Sequence, residues 1–454
     1  MPFYSINPAT EELGRRYASH TGHEIDQRLA IAHGAYAQWR HVAPADRARY
    51  AQRCAELLEA ELPVIAQTMT EEMGKTYASA KGEVAKCAAL LRYYAAHAPA
   101  MLESAPVATT ATRSGVRYEP LGPVLAVTAW NYPLWQAFRV LAPNLMAGNV
   151  VVVKHAPNVP GCATLIEDLF VRAGYPRGCV TNLFAEVDDV ARVVADDRVV
   201  AVTLTGSQRA GRAIGALAGR HLKRCVLELG GSDGFIVTSS ADLDLAVSMA
   251  VASCVQNNGQ SCIAAKRFIV VRERAAQFTD RFAEMMAAVA TGDPMDPSTA
   301  LGPLATKGQL DLLVEQVRSS LAAGAVVRAG GAALDRRGYY FAATVLSDVA
   351  LDSRAAREEL SGPVAVVHAV ADLEAAIALA NATCFGLGAS IWAQDENEIE
   401  AAIVGINVGM VFANAPVASI AELPFGGTKR SGLGRELGEC GAREFTNVKS
   451  YFVA

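Results

Sequence analysis

Past Val116 the chain alternates short apolar runs with stretches of helical character, and few folds accommodate that alternation. The runs VRYEPLGPVLAVTAW and NVVVVKHAP are punctuated by Gly and Pro, with PLWQAFRVLAPNLMAG reading as the helix between them. A helix from Gly161 to Ala173 follows, then an apolar strand from Val200 (VAVTLTGS), a Gly-rich turn, a helix from Gly211 to Gly219 and the strand CVLELGG. Strands separated by helices pair in parallel, so the pattern predicts a doubly wound α/β sheet that binds ligands at the carboxyl ends of its strands. A second series starts near Phe235, runs through KRFIVVRE and reaches AAIALANATCFGLGASIWA, which predicts another α/β domain facing the first across a cleft. From Asp26 to about Ala105 apolar residues recur at helical spacing, so the first quarter is expected to be helical and to pack beside the first domain. The stretches TGDPMDPSTALGP and ALDRRGYY read as exposed loops.

Composition narrows the function classes. With 454 residues, 52% hydrophobic and 19% charged, the chain has enough apolar sequence for two or three domains with large cores. Its 41 Lys and Arg against 46 Asp and Glu give a net charge of -5, so no global basic field recruits nucleic acid or anionic lipid, and an anionic substrate must be held by local cations. No uncharged apolar run reaches the roughly 20 residues of a membrane span, and the first residues do not read as a signal peptide, so a cytoplasmic location is expected. Nine cysteines are scattered without a C-x-x-C pair, which favours neither a disulfide framework nor a zinc site. His20 and His23 stand three apart without further ligands, so no metal is expected.

Several residues could carry chemistry, each ambiguous alone. Gly206 and Gly211 in TLTGSQRAGRAIG form G-x-x-x-x-G between a strand and a helix, where Ser207 and the helix N-terminus could meet a phosphate; an ordinary strand-to-helix turn fits equally. The stretch lacks the end of a Walker A loop and departs from G-x-G-x-x-G. Cys262 in QNNGQSCIAAKR is a nucleophile if a base and an oxyanion donor accompany it, and a small buried hydrophobe otherwise. Glu228 ends an apolar strand, where a carboxylate is costly without a task. Asn131 in TAWNYP could point an amide at an oxyanion, and Lys154 at the end of VVVVK could meet a ribose or phosphate.

Together, in order, these segments resemble the aldehyde dehydrogenase superfamily over nearly the whole chain, from INPAT at Ile6 to the PFGGTKRSGLGRELG block at Pro424. The family's nucleophile motif falls on Cys262, its LELGG motif on Glu228 and Leu229, and its W-N-[FY]-P motif on Trp130, Asn131, Tyr132 and Pro133. Its T-G-S turn falls on Thr205, Gly206 and Ser207, and its E-E-x-x-G-P segment makes Glu359 the ribose-binding candidate. The resemblance implies an α/β fold with a Rossmann-type cofactor domain (1-104 and 121-229), an α/β catalytic domain (230-425) and a small β oligomerisation element (105-120 and 436-454). It also implies a homodimer or homotetramer. The implied cofactor is NAD, with NADP use alongside, bound by Trp130, Lys154, His155, Ala156, Pro157, Gly206, Ser207, Leu229 and Glu359. Pro157 stands where many NAD-dependent relatives carry a Glu that repels a 2′-phosphate.

The chemistry implied is attack by the Cys262 thiolate on an aldehyde, an oxyanion held by Asn131, and hydrolysis of a thioester by water that Glu228 deprotonates. Members that pass the acyl group to coenzyme A lack that glutamate, so a free acid is the expected product. The stretches WNYPLWQAFR, VKHAPNVPGC and AAKRFIV are similar to bacterial succinate-semialdehyde dehydrogenases of the short type. Arg139, eight residues after Asn131 on a predicted helix, is the expected reader of the distal carboxylate, with Gln256 and Ser419 in weaker supporting roles. Gln256 occupies the place of a second arginine in related enzymes, and Ser361 stands where the family usually has Phe, which either loosens the cofactor or widens the aldehyde tunnel. Another semialdehyde, or an aliphatic or aromatic aldehyde, is the competing substrate; a non-catalytic binding protein is the competing class.

Overall fold

The computed structural model describes residues 3–454. Its first sheet has six strands in the order Gly432–Leu433, Arg224–Glu228, Ala201–Thr205, Pro123–Val127, Val150–Lys154 and Val180–Asn182, all parallel except Gly432–Leu433. The chain lays down Pro123–Val127, moves outward on one side through Val150–Lys154 and Val180–Asn182, then returns to the other side with Ala201–Thr205. That reversal creates a crevice where the loops after Val127 and Thr205 diverge, the place where doubly wound sheets hold their ligands. The register aligns the strand ends: Lys154 pairs with Val127, Val127 with Leu204, and Thr205 with Glu228. One edge of one sheet therefore carries Lys154, the loop of Trp130 and Asn131, the turn of Gly206 and Ser207, and Glu228.

The second sheet has seven strands, in the order Val326–Ala329, Thr344–Ser347, Val364–Val370, Ala265–Val271, Asp233–Val237, Gly388–Trp392 and Met410–Ala413. Only Val326–Ala329 runs antiparallel to its neighbour. Helices cover both faces, so the central strands Asp233–Val237 and Ala265–Val271 are buried along their whole length, with Asp233, Lys266 and Arg267 buried at their starts ahead of apolar runs. A third, antiparallel sheet joins Thr446–Val453, Arg113–Pro120 and Ala105–Pro106, and a two-stranded one joins Phe3–Ile6 and Leu13–Tyr17.

The first quarter folds as the helices Gly22–Trp39, Pro44–Ala60, Leu62–Met73 and Tyr77–Met101. Ile25, Leu29, Trp39, Leu58, Met69 and Leu91 share one core with Val150–Val153 and Leu141, so these helices pack on the first sheet as expected. The first of them begins ahead of Asp26 because Thr21 and Glu24 form a reciprocal capping box. The helix expected from Gly211 likewise starts at Gln208, since Ser207 caps it by accepting from the Ala210 N–H at 3.3 Å. Gly211 serves packing: a Cβ there would sit 2.6 Å from both methyls of Leu229, so its absence lets the helix lie against the strand that carries Glu228. Gly211→Val is expected to destabilise the fold by about 1–3 kcal/mol through overpacking and to raise the KM for the dinucleotide more than it lowers kcat; urea unfolding and steady-state kinetics check both.

Candidate active site

Cys262 follows a backbone turn that the chain adopts at a cost. Asn257, Asn258 and Gly259 all have positive φ, 53°, 59° and 70°, a conformation that persists only where surrounding contacts overdetermine it. Those contacts are present. The Asn258 amide donates to the carbonyls of Gly74 (2.8 Å) and Pro303 (2.9 Å) and accepts from the Gly302 N–H (2.9 Å). Lys266 Nζ donates to the carbonyls of Gly259 (2.6 Å) and Gly362 (2.8 Å), and Gln260 Oε1 accepts from the Ala305 N–H at 2.9 Å. A Cβ on Gly259 would lie 2.2 Å from the Gly362 carbonyl carbon, so only glycine fits. The expectation that TGDPMDPSTALGP is an exposed loop is corrected at its end: Leu301, Gly302 and Pro303 are buried because they clamp this turn.

Asn131 lies in the crevice of the first sheet, in the loop between Val127 and the helix Trp135–Ala147. Its Nδ2 donates to the Gln260 carbonyl at 2.9 Å, while its Oδ1 accepts from Gln136 Nε2 at 3.1 Å, which fixes the amide orientation and leaves its second N–H without a protein acceptor among the described residues, on the cavity that Asn131 shares with Cys262. The backbone N–H of Cys262 donates to no protein acceptor among the described residues. The helix itself is anchored by Glu83, whose Oε1 accepts from the N–H groups of Leu134 and Trp135 at 2.8 Å each and whose other oxygen pairs with buried Lys75. Glu83 and Lys75 escaped the sequence reading, because a charged residue on a long helix gives no sign of a distant partner.

Glu228 is 2% exposed, and neither carboxylate oxygen has a hydrogen-bond partner. Burial, then the nearby Glu436, push its carboxyl well above the usual range, while Arg139 and Arg435 oppose the shift. Burial likewise pushes the Cys262 thiol up to about 12, with Arg139 the largest opposing influence. Burial therefore favours the neutral form of both groups, and Arg139 favours the charged form of both.

Cys262, Asn131 and Glu228 line one cavity of about 260 Å³ with Trp130, Gly206, Ser207, Leu229 and Glu359. Gln136, Gln309, Leu312 and Ser361 also line it; Gln136, Gln309 and Leu312 were not foreseen. Glu359 is raised to about 7 by burial, against the pull of Lys266 and a hydrogen bond from the Gly231 N–H. Lys154 is buried at the end of its strand, makes no ion pair among the described residues, and has its ammonium lowered by burial. His155 plays another part: Nδ1 accepts from the Ala156 N–H at 2.8 Å and Nε2 faces the Pro133 carbonyl at 2.7 Å, so the ring ties two loops together and only its backbone is left for a ligand. Pro157 is exposed beside Ala156, with no acid in the stretch from Lys154. An unpaired lysine, a capped helix N-terminus beyond Gly206 and a carboxylate at Glu359 suit a dinucleotide laid across the crevice.

A second, smaller cavity of about 80 Å³ lies on the other side of Cys262, lined among others by Lys86, Trp135, Arg139, Gln256, Ser419 and Phe425. Three of these were expected by sequence, and Arg139 among them has partners inside the protein. Its Nε lies 2.7 Å from buried Glu436, its Nη2 donates to Gln136 at 2.6 Å, and the guanidinium covers the Phe425 ring at 4.4 Å. Ser419 Oγ accepts from Trp135 Nε1 (2.9 Å) and from Lys86 Nζ (2.8 Å), and Gln256 Nε2 is 3.4 Å from the Ile263 carbonyl.

A cysteine thiol set between a dinucleotide crevice and a closed pocket, with an amide donor and an unpaired carboxylate beside it, defines a thiol-dependent dehydrogenase. The chain belongs to the aldehyde dehydrogenase family, whose model matches residues 2–451. It is 50% identical over 457 aligned positions to succinate-semialdehyde dehydrogenase [NADP(+)] 1 of Mycobacterium tuberculosis, covering 100% of both chains. It is 48% identical to succinate-semialdehyde dehydrogenase [NADP(+)] of Mycobacterium avium, covering 100% of this chain and 97% of the relative. The solved structure of succinic semialdehyde dehydrogenase from Streptococcus pyogenes with NADP+ superposes with a TM-score of 0.97 at 36% identity, covering 99% of each chain. The expected preference for NAD finds no support in these relatives, which carry NADP in their names. No helix among the described residues is long and apolar enough to cross a membrane.

Because the thiol is raised, its alkylation should depend steeply on pH. In the ligand-free protein, labelling of Cys262 by iodoacetamide is expected to rise roughly tenfold per pH unit from 7 to 10, as the thiolate fraction grows. Peptide-resolved mass spectrometry separates it from exposed Cys440, and a rate that levels off below pH 9 contradicts the raised thiol.

Proposed function

We propose that this protein oxidises succinate semialdehyde to succinate with NADP or NAD as the electron acceptor. The observation that carries the reading is the position of Cys262, which lines both the dinucleotide-side cavity and the smaller pocket beyond it. The aldehyde enters the pocket of about 80 Å³, a volume that favours a short chain over a long aliphatic or aromatic one. The Cys262 thiol gives its proton to the Glu228 carboxylate, which passes it to solvent before acting again; the thiolate adds to the carbonyl carbon, and the oxyanion of the thiohemiacetal is held by the free N–H groups of Asn131 and of the Cys262 backbone. A nicotinamide dinucleotide held in the crevice would supply the hydride acceptor that turns the thiohemiacetal into a thioester on Cys262.

Glu228 then takes a proton from water, the hydroxide adds to the thioester carbon, and the sulfur leaves as thiolate while the acid departs. Its unpaired carboxyl is suited to both protonation states, since no ion pair locks either one. Trp130, Gly206, Ser207, Leu229 and Glu359, which line the cavity, would hold the dinucleotide, and Lys154 with the backbone of His155, Ala156 and Pro157 would extend that site from the end of the next strand. NADP is accepted because that stretch offers a lysine and no carboxylate to repel a 2′-phosphate. The exposed strand Thr446–Val453, with Val448, Phe452 and Val453 open to solvent, is the surface for a homo-oligomer.

Cys262→Ala is expected to abolish NAD(P)H formation, and Glu228→Ala to permit at most one turnover per site; steady turnover by either variant contradicts the assignments. The substrate is tested by kcat/KM for succinate semialdehyde and for butanal, a neutral aldehyde of the same chain length, each with NADP and NAD. A preference of at least tenfold for succinate semialdehyde is expected, with measurable rates on both dinucleotides; equal efficiencies for the two aldehydes contradict the reading.

A further inference from the structure

Lys266 is the second residue of the strand Ala265–Val271, and the strand pairing skips it. Asp233 pairs with Ala265 and Gly234 with Arg267, so Lys266 is the extra residue of a bulge, a feature that re-aims the side chain it carries. This one sends a lysine inward, 2% exposed, where it makes no ion pair among the described residues. Its Nζ donates instead to two main-chain carbonyls, Gly259 at 2.6 Å and Gly362 at 2.8 Å. The first ends the left-handed turn ahead of Cys262, and the second lies three residues after Glu359. The two segments also touch, since a Cβ on Gly259 would overlap Gly362 and the Pro363 nitrogen. Two carbonyls can be bridged by a neutral donor, and burying an ammonium is costly, so the charge calls for a use. Both bridged segments face the dinucleotide-side cavity, one through Cys262 and the other through Glu359.

We propose that Lys266 is a positioning residue for dinucleotide binding: one ammonium ties the turn that presents Cys262 to the segment that presents Glu359, and its charge attracts the Glu359 carboxylate. The inference rests on Glu359 as a dinucleotide-holding carboxylate, as proposed above, and gives that residue a partner inside the fold. Burial lifts the Glu359 carboxyl to about 7, and Lys266 is the largest influence against the rise, ahead of the Gly231 N–H. Burial also lowers the ammonium, while Cys254, Glu359 and Asp233, the acidic groups that face it, oppose that. Of these, burial pushes Cys254 up to about 11 and Asp233 well above the usual carboxylate range, which favours their neutral forms. Asp233 and the Cys262 thiol also face Glu359. A ribose hydroxyl donates more strongly to a carboxylate than to a carboxylic acid, so affinity for the dinucleotide rises as Glu359 ionises.

The test is the Kd for NADP in the absence of aldehyde, read by quenching of tryptophan fluorescence from pH 6 to pH 9. The wild-type protein is expected to bind more tightly as pH rises, with a midpoint near 7, and Glu359→Gln to lose that step. Lys266→Met, which removes the ammonium and keeps the stem, is expected to move the midpoint up by about one unit or more, weakening binding roughly fivefold or more at pH 7 and much less at pH 9. Its kcat is expected to fall as well, because the turn ahead of Cys262 loses a donor. Lys266→Gln, which keeps an N–H donor on a side chain one atom shorter, is expected to show the same upward shift with a smaller loss of kcat, and it carries the test should Lys266→Met not fold. A midpoint unmoved in either lysine variant, or binding weakened by the same factor at every pH, overturns the assignment while leaving Glu359 as a dinucleotide-holding carboxylate. A wild-type protein without the step, or a step that persists in Glu359→Gln, overturns the Glu359 reading and the Lys266 assignment together.

Discussion

The Arg139 guanidinium and the Glu436 carboxylate meet at 2.7 Å inside the protein, and much of the site is arranged around that contact. Arg139 stands on the helix that follows Asn131, whereas Glu436 arrives from the far end of the chain, brought there by paired backbone hydrogen bonds between Phe425 and Glu436. The same C-terminal block adds the strand Gly432–Leu433 to the first sheet beside Glu228. One ion pair thus ties the helix behind the oxyanion donor to the segment that walls in the base. Removing one partner of a buried pair leaves the other charge uncompensated, at about 3–5 kcal/mol, so Arg139 is costly to replace whatever it does for the substrate. Its charge also opposes the upward shifts of both Cys262 and Glu228, and in each it is the largest such influence among the side chains.

That electrostatic setting explains how two reluctant acids can share a cavity. Burial alone raises both groups, and a thiolate beside a carboxylate would repel. Arg139 works against both effects, since it favours the charged form of the thiol and of the carboxyl. The turn at Asn257, Asn258 and Gly259 contributes the mechanical half of the same design. Its three left-handed residues are held by side chains and backbone from Gly74, Pro303, Ala305 and Gly362, so the thiol is presented from a rigid loop between two sheets.

How far the sequence foretold this depends on the range over which each feature acts. Strand and helix alternation was legible because it is local, and with it the strand ends that carry Lys154, Thr205 and Glu228. The motifs around Asn131, Gly206, Glu228 and Cys262 were legible because each is a short contiguous string, and the structure places all four on one cavity. Boundaries slipped where a cap lay outside the apolar pattern, at Thr21 and Ser207. What could not be read was pairing between distant segments: Glu83 under the helix Trp135–Ala147, Asn258 against Gly302, and Glu436 on Arg139. Each of these residues looks like an ordinary polar side chain until the fold supplies its partner.

Arg139 and Lys86 show how the same limit shapes functional inference. From spacing the arginine was the natural carboxylate reader, since its helix follows the oxyanion donor, while the lysine was not singled out at all. The fold gives each of them partners that the sequence did not show. Arg139 is engaged from three sides, by Glu436, Gln136 and the Phe425 ring, while Lys86 holds only a hydroxyl and an aromatic face. An arginine carries five N–H donors, and the partners given to Arg139 engage Nε and Nη2, so what each cation has left for a ligand is set by pairing across the fold rather than by distance along the chain from the catalytic motif.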